Sequence, residues 1–342
     1  MKTIEWKAEG TCEDQSRRQV LRIGMSSLAA AGLAACGGGG GGLPAPVAAG
    51  PGPGSAAPDP AVSIPVADTP ISAPEGPATT AKSAKRGVAY DLAEPADLAA
   101  LASGVSWWYD WGLRPRASVP ADFRTRYGMD FHPMLWNGNF DAAEVESYLS
   151  AHREVKHLLL LNEPNLSDQA NLTPSQAAQL WPRFEAVADR TGVKLVGPAI
   201  TWGTMPGFAD PVVWLDAFYA AYRSANGNRD PRVDYLAFHW YDYGLGAQLD
   251  RLAKYGKPFW VTEFANWHSQ ADGAQIDTLA KQKAQMTDMV AICESRSDVF
   301  RYAWFTGRWA SDPHHTSLLG ASGELTELGR HYVALPFAGQ AS

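Results

Sequence analysis

The chain has 342 residues, of which 46% are hydrophobic and 19% are charged, so it is long enough to bury a sizeable core. Its formal net charge is -7 at pH 7. This acidic balance argues against nucleic acid as a partner, because phosphates demand a basic surface, and it favours a neutral partner.

The first 35 residues have the pattern of an export signal. Arg17 and Arg18 precede a small-residue apolar run, Ile23 to Ala35, which is similar to a twin-arginine signal and too short to span a membrane. The run leads into Leu-Ala-Ala-Cys-Gly, which resembles a bacterial lipobox whose cysteine, here Cys36, carries the lipid after cleavage. An ordinary cleavable signal with an incidental cysteine is the alternative. We therefore expect an exported lipoprotein, anchored to a membrane through Cys36 and located in the periplasm or at the cell surface.

Composition divides the rest of the chain into a linker and one domain. Residues 36–84 are rich in Gly, Pro and Ala without an apolar period, which predicts a flexible tether. Residues 85–342 match the length of one (β/α)8 barrel, typically about 250 residues. Removal of the signal would leave Cys36 and Cys293, and lipidation of Cys36 excludes an intramolecular disulfide. Cys293 recurs at helical spacing with Met286 and Met289, which favours a packing role.

Strand-like and helix-like segments alternate along the domain. The predicted strands are Gly87–Tyr90, Val105–Asp110, Asp130–Trp136, His157–Asn162, Lys194–Ile200, Tyr235–Tyr241, Pro258–Phe264 and Phe300–Thr306. The predicted helices are Ala96–Ala102, Asp141–His152, Pro174–Arg190, Pro211–Ser224, Ala247–Lys254, Ile276–Glu294 and Thr326–Ala334. Only the connection Ala121–Tyr127 has a weak helical pattern. Eight strands alternating with crossovers predict the α/β class and a single TIM barrel, written (β/α)8.

Two predicted strands end in a glutamate. Four leucines, Leu158–Leu161, read as a strand that is apolar on both faces, and Glu163 follows where this strand opens into its loop. The β-rich run Pro258–Phe264 carries Glu263 at its end. Because the carboxyl ends of barrel strands carry the chemistry, the two carboxylates are expected to face one pocket. The alternative is that each glutamate pairs with an arginine or caps a helix.

Several motifs in a fixed order carry a family resemblance. The segments Ser106–Gly112, Leu161–Asn165, Phe238–Tyr241 and Val261–Ala265, supported by Phe131–Trp136, resemble glycoside hydrolase family 128 of clan A. The resemblance implies a (β/α)8 barrel and a retaining, double-displacement hydrolysis of β-1,3-glucan, for which we expect endo action. It implies Glu163 as the acid/base and Glu263 as the nucleophile. The chemistry agrees with these roles, because hydrolysis of a glycosidic bond by double displacement needs one protonated and one ionised carboxyl group.

Neighbouring polar residues are further site candidates. The resemblance implies that Asn162 bonds the sugar 2-hydroxyl and steadies the nucleophile, although asparagine is also common in turns. His239 and Tyr241 lie two residues apart on a strand, so they point to the same side and can bond Glu263 or a substrate hydroxyl. A hydrogen-bonded core histidine is an equal alternative for His239.

Thirteen tryptophans are a heavy load for one chain, and many lie at or just past strand ends. Flat rings suit the C–H faces of a pyranose, and amides suit its hydroxyl rim. The predicted substrate contacts are therefore Trp107, Trp136, Asn137, Trp202 and Trp304, with Trp304 as the floor beneath the cleaved sugar. Barrel cores also use tryptophan, so about half of the tryptophans at strand ends are expected to be structural.

No cofactor signal is present in the sequence. The pair His314-His315 stands alone, no spaced Cys/His set exists, and the glycine runs lack the strand, helix and lysine of a phosphate loop, so neither metal nor nucleotide is expected. The expected partner is a β-glucan, and the expected state is a monomer. Another β-glycan, such as β-1,4-glucan or mannan, and a non-catalytic glycan-binding lipoprotein remain as alternative functions.

Overall fold

A computed structural model describes residues 81–337 of the chain. The predicted export signal, its lipidated cysteine, most of the predicted linker and residues 338–342 lie outside the described range. In the part of the chain that the structure describes, no helix is both long enough and apolar enough to cross a membrane.

The folded domain begins slightly before the predicted boundary at residue 85. Ser83 is buried, and its carbonyl oxygen accepts a hydrogen bond from Ser106 Oγ at 2.7 Å. The Lys82 ammonium group donates to the carbonyls of Ala102 and Val105 at 2.8 and 2.7 Å. These two residues were assigned to the linker by composition, which does not report such tertiary contacts.

Within residues 81–337, the centre of the fold is one sheet of nine parallel strand segments. They are β1 (Arg86–Ala89), β2 (Trp107–Tyr109), β3 (Asp130–Phe131), β4 (Met134–Leu135), β5 (His157–Leu160), β6 (Lys194–Ile200), β7 (Tyr235–Trp240), β8 (Phe259–Phe264) and β9 (Val299–Trp304). Their order in the sheet is β3-β2-β1-β9-β8-β7-β6-β5-β4. The sequence order is therefore kept around the sheet, with β9 beside β1.

The two ends of this order are joined through the chain, which closes the sheet into a barrel. Only His132 and Pro133 separate β3 from β4. His132 N donates to Trp108 O on one side at 3.0 Å, and Leu159 N donates to Pro133 O on the other at 2.9 Å. Proline has no N–H, so the ladder is interrupted at this point and one barrel strand appears as two segments. The predicted eight-stranded α/β barrel is confirmed.

Helices cover the barrel, in the order expected for crossover connections. They are α1 (Pro95–Leu101), α2 (Phe123–Tyr127), α3 (Ala142–Ala151), α4 (Pro174–Thr191), α5 (Pro211–Ala225), α6 (Leu245–Leu252), α7 (Leu279–Ser295) and α8 (Glu327–Ala334), with a 3₁₀ turn at Ala253–Tyr255. The weak connection contains only the five-residue α2. Helix α7 starts later than predicted because Thr278 caps it, its Oγ1 accepting from Lys281 N at 3.3 Å.

Local signals explain the longest helix and the central strand. Thr173 and Gln176 form a capping box at the start of α4, and Gly192 ends that helix in the left-handed region. The leucines Leu158–Leu161 are all fully buried, as the unbroken apolar run predicts. Cys293 is also buried, on α7, and burial raises the pKa of its thiol far above the ordinary range. Its predicted packing role is confirmed by this environment.

Candidate active site

The backbone changes direction sharply where β5 delivers Glu163. Leu161 and Glu163 both have positive φ, 56° and 44°, a region that side chains other than glycine seldom adopt. Glu163 N donates to Ala199 O at 2.8 Å, which fixes this turn against the end of β6. Unfavourable backbone angles of this kind persist where surrounding structure holds them, often at functional sites.

Glu163 and Glu263 meet in one buried cluster with His239. Each glutamate is only 1% exposed, and His239 is fully buried. One ligand atom from each of the three residues lies within 4.8 Å of those of the other two. The fold therefore joins two carboxylates that are 100 residues apart in the sequence (263 − 163), as the strand-end pattern predicted.

His239 bridges the two carboxylates. Its Nδ1 lies 2.9 Å from Glu163 Oε1 and 3.6 Å from Glu263 Oε2, while its Nε2 lies 3.0 Å from Thr262 Oγ1. Both ring nitrogens are therefore engaged, and the ring cannot turn without losing a partner. His239 is therefore both a buried, hydrogen-bonded histidine and a member of the carboxylate cluster.

Glu263 is surrounded by hydrogen-bond donors. Tyr109 OH and Trp111 Nε1 each donate to its Oε1 at 2.8 Å, and Tyr241 OH donates to its Oε2. Of the two partners that the sequence leaves open for Tyr241, Glu263 or a substrate hydroxyl, the structure shows the hydrogen bond to Glu263. Three donors thus hold the Glu263 carboxyl group in one orientation.

The electrostatic environment of the cluster raises the pKa of Glu163, His239 and Tyr241. Burial raises the pKa of Glu163, and the negative charge of Glu263 acts in the same direction, whereas His239 opposes it. Burial lowers the pKa of His239, but the charges of Glu263 and Glu163 outweigh it and raise the pKa overall. Burial, together with Glu263, also raises the pKa of Tyr241 well above its ordinary range, so this phenol stays a donor. Glu163, His239 and Tyr241 therefore each keep a proton to a higher pH than usual.

Aromatic rings surround the donors of Glu263. Tyr241 stacks on Trp267 with ring centroids 4.0 Å apart, and Phe305 contacts both rings, at 5.8 and 5.6 Å. Phe305 also meets Trp111 edge-on at 6.0 Å. Packing of this density restricts the rotamers of Tyr241 and Trp111, and so fixes the direction of their hydrogen bonds.

Four other predicted substrate contacts follow the ends of strands, two asparagines and two tryptophans. Asn162 is buried and donates to Gln169 Oε1 at 3.0 Å, and its own buried carbonyl oxygen has no hydrogen-bond partner within residues 81–337. Asn137 uses its carbonyl oxygen to accept from Asn139 N at 2.8 Å, so it also shapes a turn. Trp136 and Trp202 follow β4 and β6 and keep exposed surface.

Two predicted substrate contacts lie elsewhere. Trp304 is fully buried, donates from Nε1 to Thr316 O at 2.8 Å, and packs on Phe264 and on Tyr332 of α8, so it belongs to the layer between sheet and helices. The prediction that Trp304 forms the sugar floor is therefore wrong. Its neighbour Phe305 contacts the rings beside Glu263 instead, because the two side chains point to opposite faces.

Trp107 is the second misplaced contact. It lies at the start of β2, is fully buried, and packs edge-on against Trp260 at 5.1 Å and His132 at 5.4 Å. Its Nε1 donates to Lys85 O, near the opposite end of the barrel from the glutamates. Trp107 is thus a core residue, and the prediction that it binds substrate is wrong.

The sequence interpretation overlooked Tyr109, Trp111, Thr262 and Phe305 as parts of the site. Alternation in the Trp-Trp-Tyr-Asp-Trp segment could have indicated the first two, since Tyr109 and Trp111 are two residues apart and both reach Glu263. No local signal marks Thr262 as the partner of His239, because that contact joins β7 and β8.

The cluster of Glu163, His239 and Glu263 also contains the atoms that come closest to a metal-ligand arrangement among residues 81–337. The surroundings favour proton chemistry instead. Three donors direct hydrogens at Glu263, and His239 Nε2 lies 3.0 Å from Thr262 Oγ1, so these atoms already have partners within the protein. The geometry fits a carboxyl group that donates a proton beside a second carboxyl group that is held by hydrogen-bond donors.

Comparison with known proteins agrees with this chemistry. The family described as "Glycosyl hydrolase catalytic core" matches residues 87–332, and the protein is a glycoside hydrolase. A subgroup II endo-β-1,3-glucanase of glycoside hydrolase family 128 from Pseudomonas viridiflava is 62% identical, with a TM-score of 0.75, over 75% of this chain and 100% of that chain. The chain belongs to glycoside hydrolase family 128.

More distant relatives also match this chain. A subgroup II endo-β-1,3-glucanase from Sorangium cellulosum is 38% identical, with a TM-score of 0.63, over 74% of this chain and 99% of that chain. A subgroup I enzyme from Amycolatopsis mediterranei, in complex with laminaritriose, is 28% identical, with a TM-score of 0.56, over 74% and 99%. Alkali-sensitive linkage protein 1 of Schizosaccharomyces pombe is 26% identical over 68% of this chain but only 40% of its own length.

Proposed function

We propose that the protein is a retaining endo-β-1,3-glucanase, with Glu163 as the acid/base and Glu263 as the nucleophile. The observation that carries the mechanism is the separation of the two glutamates. One carboxylate oxygen of Glu163 lies within 4.8 Å of one of Glu263, which supports the separation of about 5–5.5 Å that is typical of retaining enzymes over the 6.5–9.5 Å or so of inverting ones. A water molecule between the two carboxylates would need the wider spacing.

The first displacement uses the different environments of the two carboxyl groups. Glu163 holds its proton because burial raises its pKa, and it gives this proton to the glycosidic oxygen as the bond to the anomeric carbon breaks. Glu263, held by Tyr109, Trp111 and Tyr241, attacks the anomeric carbon from the other face and forms a covalent glycosyl-enzyme.

In the second displacement the roles of Glu163 reverse. Its carboxylate takes a proton from a water molecule, the water oxygen bonds to the anomeric carbon, and the bond to Glu263 breaks. Two inversions return the β-configuration to the product. His239 Nδ1 lies 2.9 Å from Glu163 Oε1 and so positions this carboxyl group.

The substrate is inferred from the relatives. The structures from Pseudomonas viridiflava and Sorangium cellulosum are described as endo-β-1,3-glucanases, and an Amycolatopsis mediterranei relative binds laminaritriose. Trp136 and Trp202 keep exposed ring surface just past β4 and β6, at the same end of the barrel as the buried carboxylates, which suits a sugar chain crossing the carboxyl ends of the strands.

The direct test is the product profile of the wild-type protein on laminarin over time, with cellulose and mannan in parallel. We expect reducing ends only from laminarin, a spread of oligosaccharides early in the reaction, and β-anomers as the first products by proton NMR. Glucose as the sole early product would contradict endo action. First products in the α-configuration would contradict retention, and binding without turnover on every glucan would contradict catalysis.

We also propose that the protein is exported and anchored through a lipid on Cys36, and that it acts as a monomer. The proposal rests on the residue pattern at positions 16–37. Cys36→Ala is expected to give a protein that fractionates as soluble, elutes as a single chain, and keeps the wild-type activity per folded molecule. Membrane fractionation with mass spectrometry of the amino terminus measures this. Unchanged membrane association of the variant would contradict the anchor.

A further inference from the structure

Trp202 has the largest exposed fraction of any tryptophan between residues 81 and 337, at 45%. It follows β6 at the carboxyl end of the barrel, the end that carries Glu163. A single exposed tryptophan is ordinary on a protein surface. Trp202 differs from an ordinary exposed side chain because neighbouring residues hold its ring in a fixed orientation.

Side chains of α6 hold the indole ring in one orientation. Trp202 Nε1 donates to Gln248 Oε1 at 3.1 Å, and the Arg251 guanidinium lies 5.2 Å from the ring centroid. Arg251 is itself fixed, since it donates to Gln248 at 3.1 Å and pairs with Asp210 at 2.6 Å. One face of the indole is thus covered by the cation, and the exposed part of the ring is presented to solvent with its rotamer already restricted.

The backbone beside Trp202 is attached to the loop of Glu163. Asn165, fully buried, accepts hydrogen bonds at its carbonyl from Thr204 N at 3.1 Å and Met205 N at 2.9 Å, and its side chain donates to Thr201 O at 2.7 Å. A side chain at Gly203 would place its Cβ 2.1 Å from the same Asn165 carbonyl oxygen. The loop that carries Trp202 is therefore packed directly on the loop that carries the proposed acid.

This attachment associates Trp202 with the acid side of the cleaved bond. The acid protonates the leaving-group oxygen, so the part of the cleft next to the Glu163 loop receives the leaving sugars. The Glu263 side, with Tyr241, Trp267 and Phe305, receives the sugar that becomes covalently attached. A flat apolar ring, ordered before binding, suits the C–H face of a pyranose at low entropic cost.

We propose that Trp202 is a stacking platform for a glucosyl unit on the leaving-group side of the cleft, oriented by Gln248 and Arg251. The proposal rests on the proposed function and deepens it, because it assigns a subsite. Two consequences follow. Trp202 contributes to the affinity for long β-1,3-oligosaccharides, and it holds the acceptor sugar when the glycosyl-enzyme is attacked by a sugar instead of water.

The first experiment measures binding without turnover. In a Glu163→Gln background, Trp202→Ala is expected to weaken the affinity for laminarihexaose by about tenfold in calorimetry. Trp202→Phe, which keeps a flat ring, should weaken it less. Phe300→Ala is the matched control, because Phe300 is an aromatic residue of similar exposure, 39%, at the amino end of β9. It should leave the affinity unchanged.

The second experiment measures partition of the glycosyl-enzyme, with Glu163 intact. An aryl β-laminaribioside has a good leaving group and does not need a sugar on the leaving-group side, so Trp202→Ala should hydrolyse it within about twofold of the wild type. With laminaribiose added as acceptor, the ratio of transfer to hydrolysis should fall by about tenfold in the same variant.

Two results would overturn the proposal. One is that Trp202→Ala changes the affinity for laminarihexaose by less than about twofold, or that the Glu163→Gln parent does not bind laminarihexaose. The other is an equal loss on the aryl substrate and on oligosaccharides, which would show that the ring only supports the Glu163 loop. Failure of the proposed function is a different observation, namely that the wild type releases no reducing ends from laminarin.

Discussion

Glu163→Ala is expected to lower kcat on laminarin by about 10²–10⁴-fold, because it removes the proton that the leaving oxygen needs. An aryl β-glycoside with a good leaving group needs little protonation, so it should still form the glycosyl-enzyme on Glu263. The intermediate then accumulates, since no base activates water. Added azide needs no base, and it should accelerate breakdown of the intermediate to a β-glycosyl azide.

Glu263→Ala should give the opposite stereochemistry. Without the nucleophile no covalent intermediate forms, and azide in the vacated space attacks the anomeric carbon directly, while Glu163 still donates its proton. The product is then an α-glycosyl azide. Because Tyr109, Trp111 and Tyr241 all lose their acceptor, melting curves must accompany the kinetics.

Proton NMR of the azide products from both variants decides between the roles. The control is Glu144→Ala, a glutamate exposed on α3 and paired with Arg114, which should retain wild-type kinetics and give no azide product. A β-azide from Glu263→Ala together with an α-azide from Glu163→Ala would show that the roles are reversed. Absence of rescue in both variants would contradict the double displacement.

The parts of the fold that sequence predicted are those with local causes. Leu158–Leu161 read as a doubly covered strand because every residue in it is apolar, and all four are fully buried. The capping box of Thr173 and Gln176 is a local sequence signal for the start of α4. Glu163 and Glu263 were predicted to meet because carboxyl ends of parallel strands share one end of a barrel, and this argument does not depend on exact registers.

The errors have a common physical origin. Whether a strand residue points into the barrel or toward the helices depends on register and on irregularities, and the pairings of β8 with β7 and β9 both contain register shifts. A shift of one residue exchanges the two faces. The prediction therefore assigned to Trp304 a place in the site, whereas Phe305 lies against the rings near Glu263.

Side-chain contacts between different strands could not be predicted from local sequence patterns. Thr262 beside His239, and Tyr109 and Trp111 beside Glu263, are separated from their partners by 23 to 154 residues. Their residue types are also common in barrel cores, so composition could not single them out. Only the folded structure shows that Tyr109 and Trp111 both donate to Glu263 Oε1.

Trp304→Ala is consequently expected to affect stability far more than catalysis. The substitution empties a fully buried site against Phe264 and Tyr332 and leaves the carbonyl of Thr316 without its donor, which should cost about 3–5 kcal/mol of unfolding free energy. Turnover per folded molecule, measured below the melting transition, should stay near wild type. Phe305→Ala is the matched variant: it should reduce turnover, because Tyr241 and Trp111 lose the ring that restricts them. A Trp304→Ala protein that melts normally but hydrolyses laminarin poorly would return Trp304 to the substrate cleft.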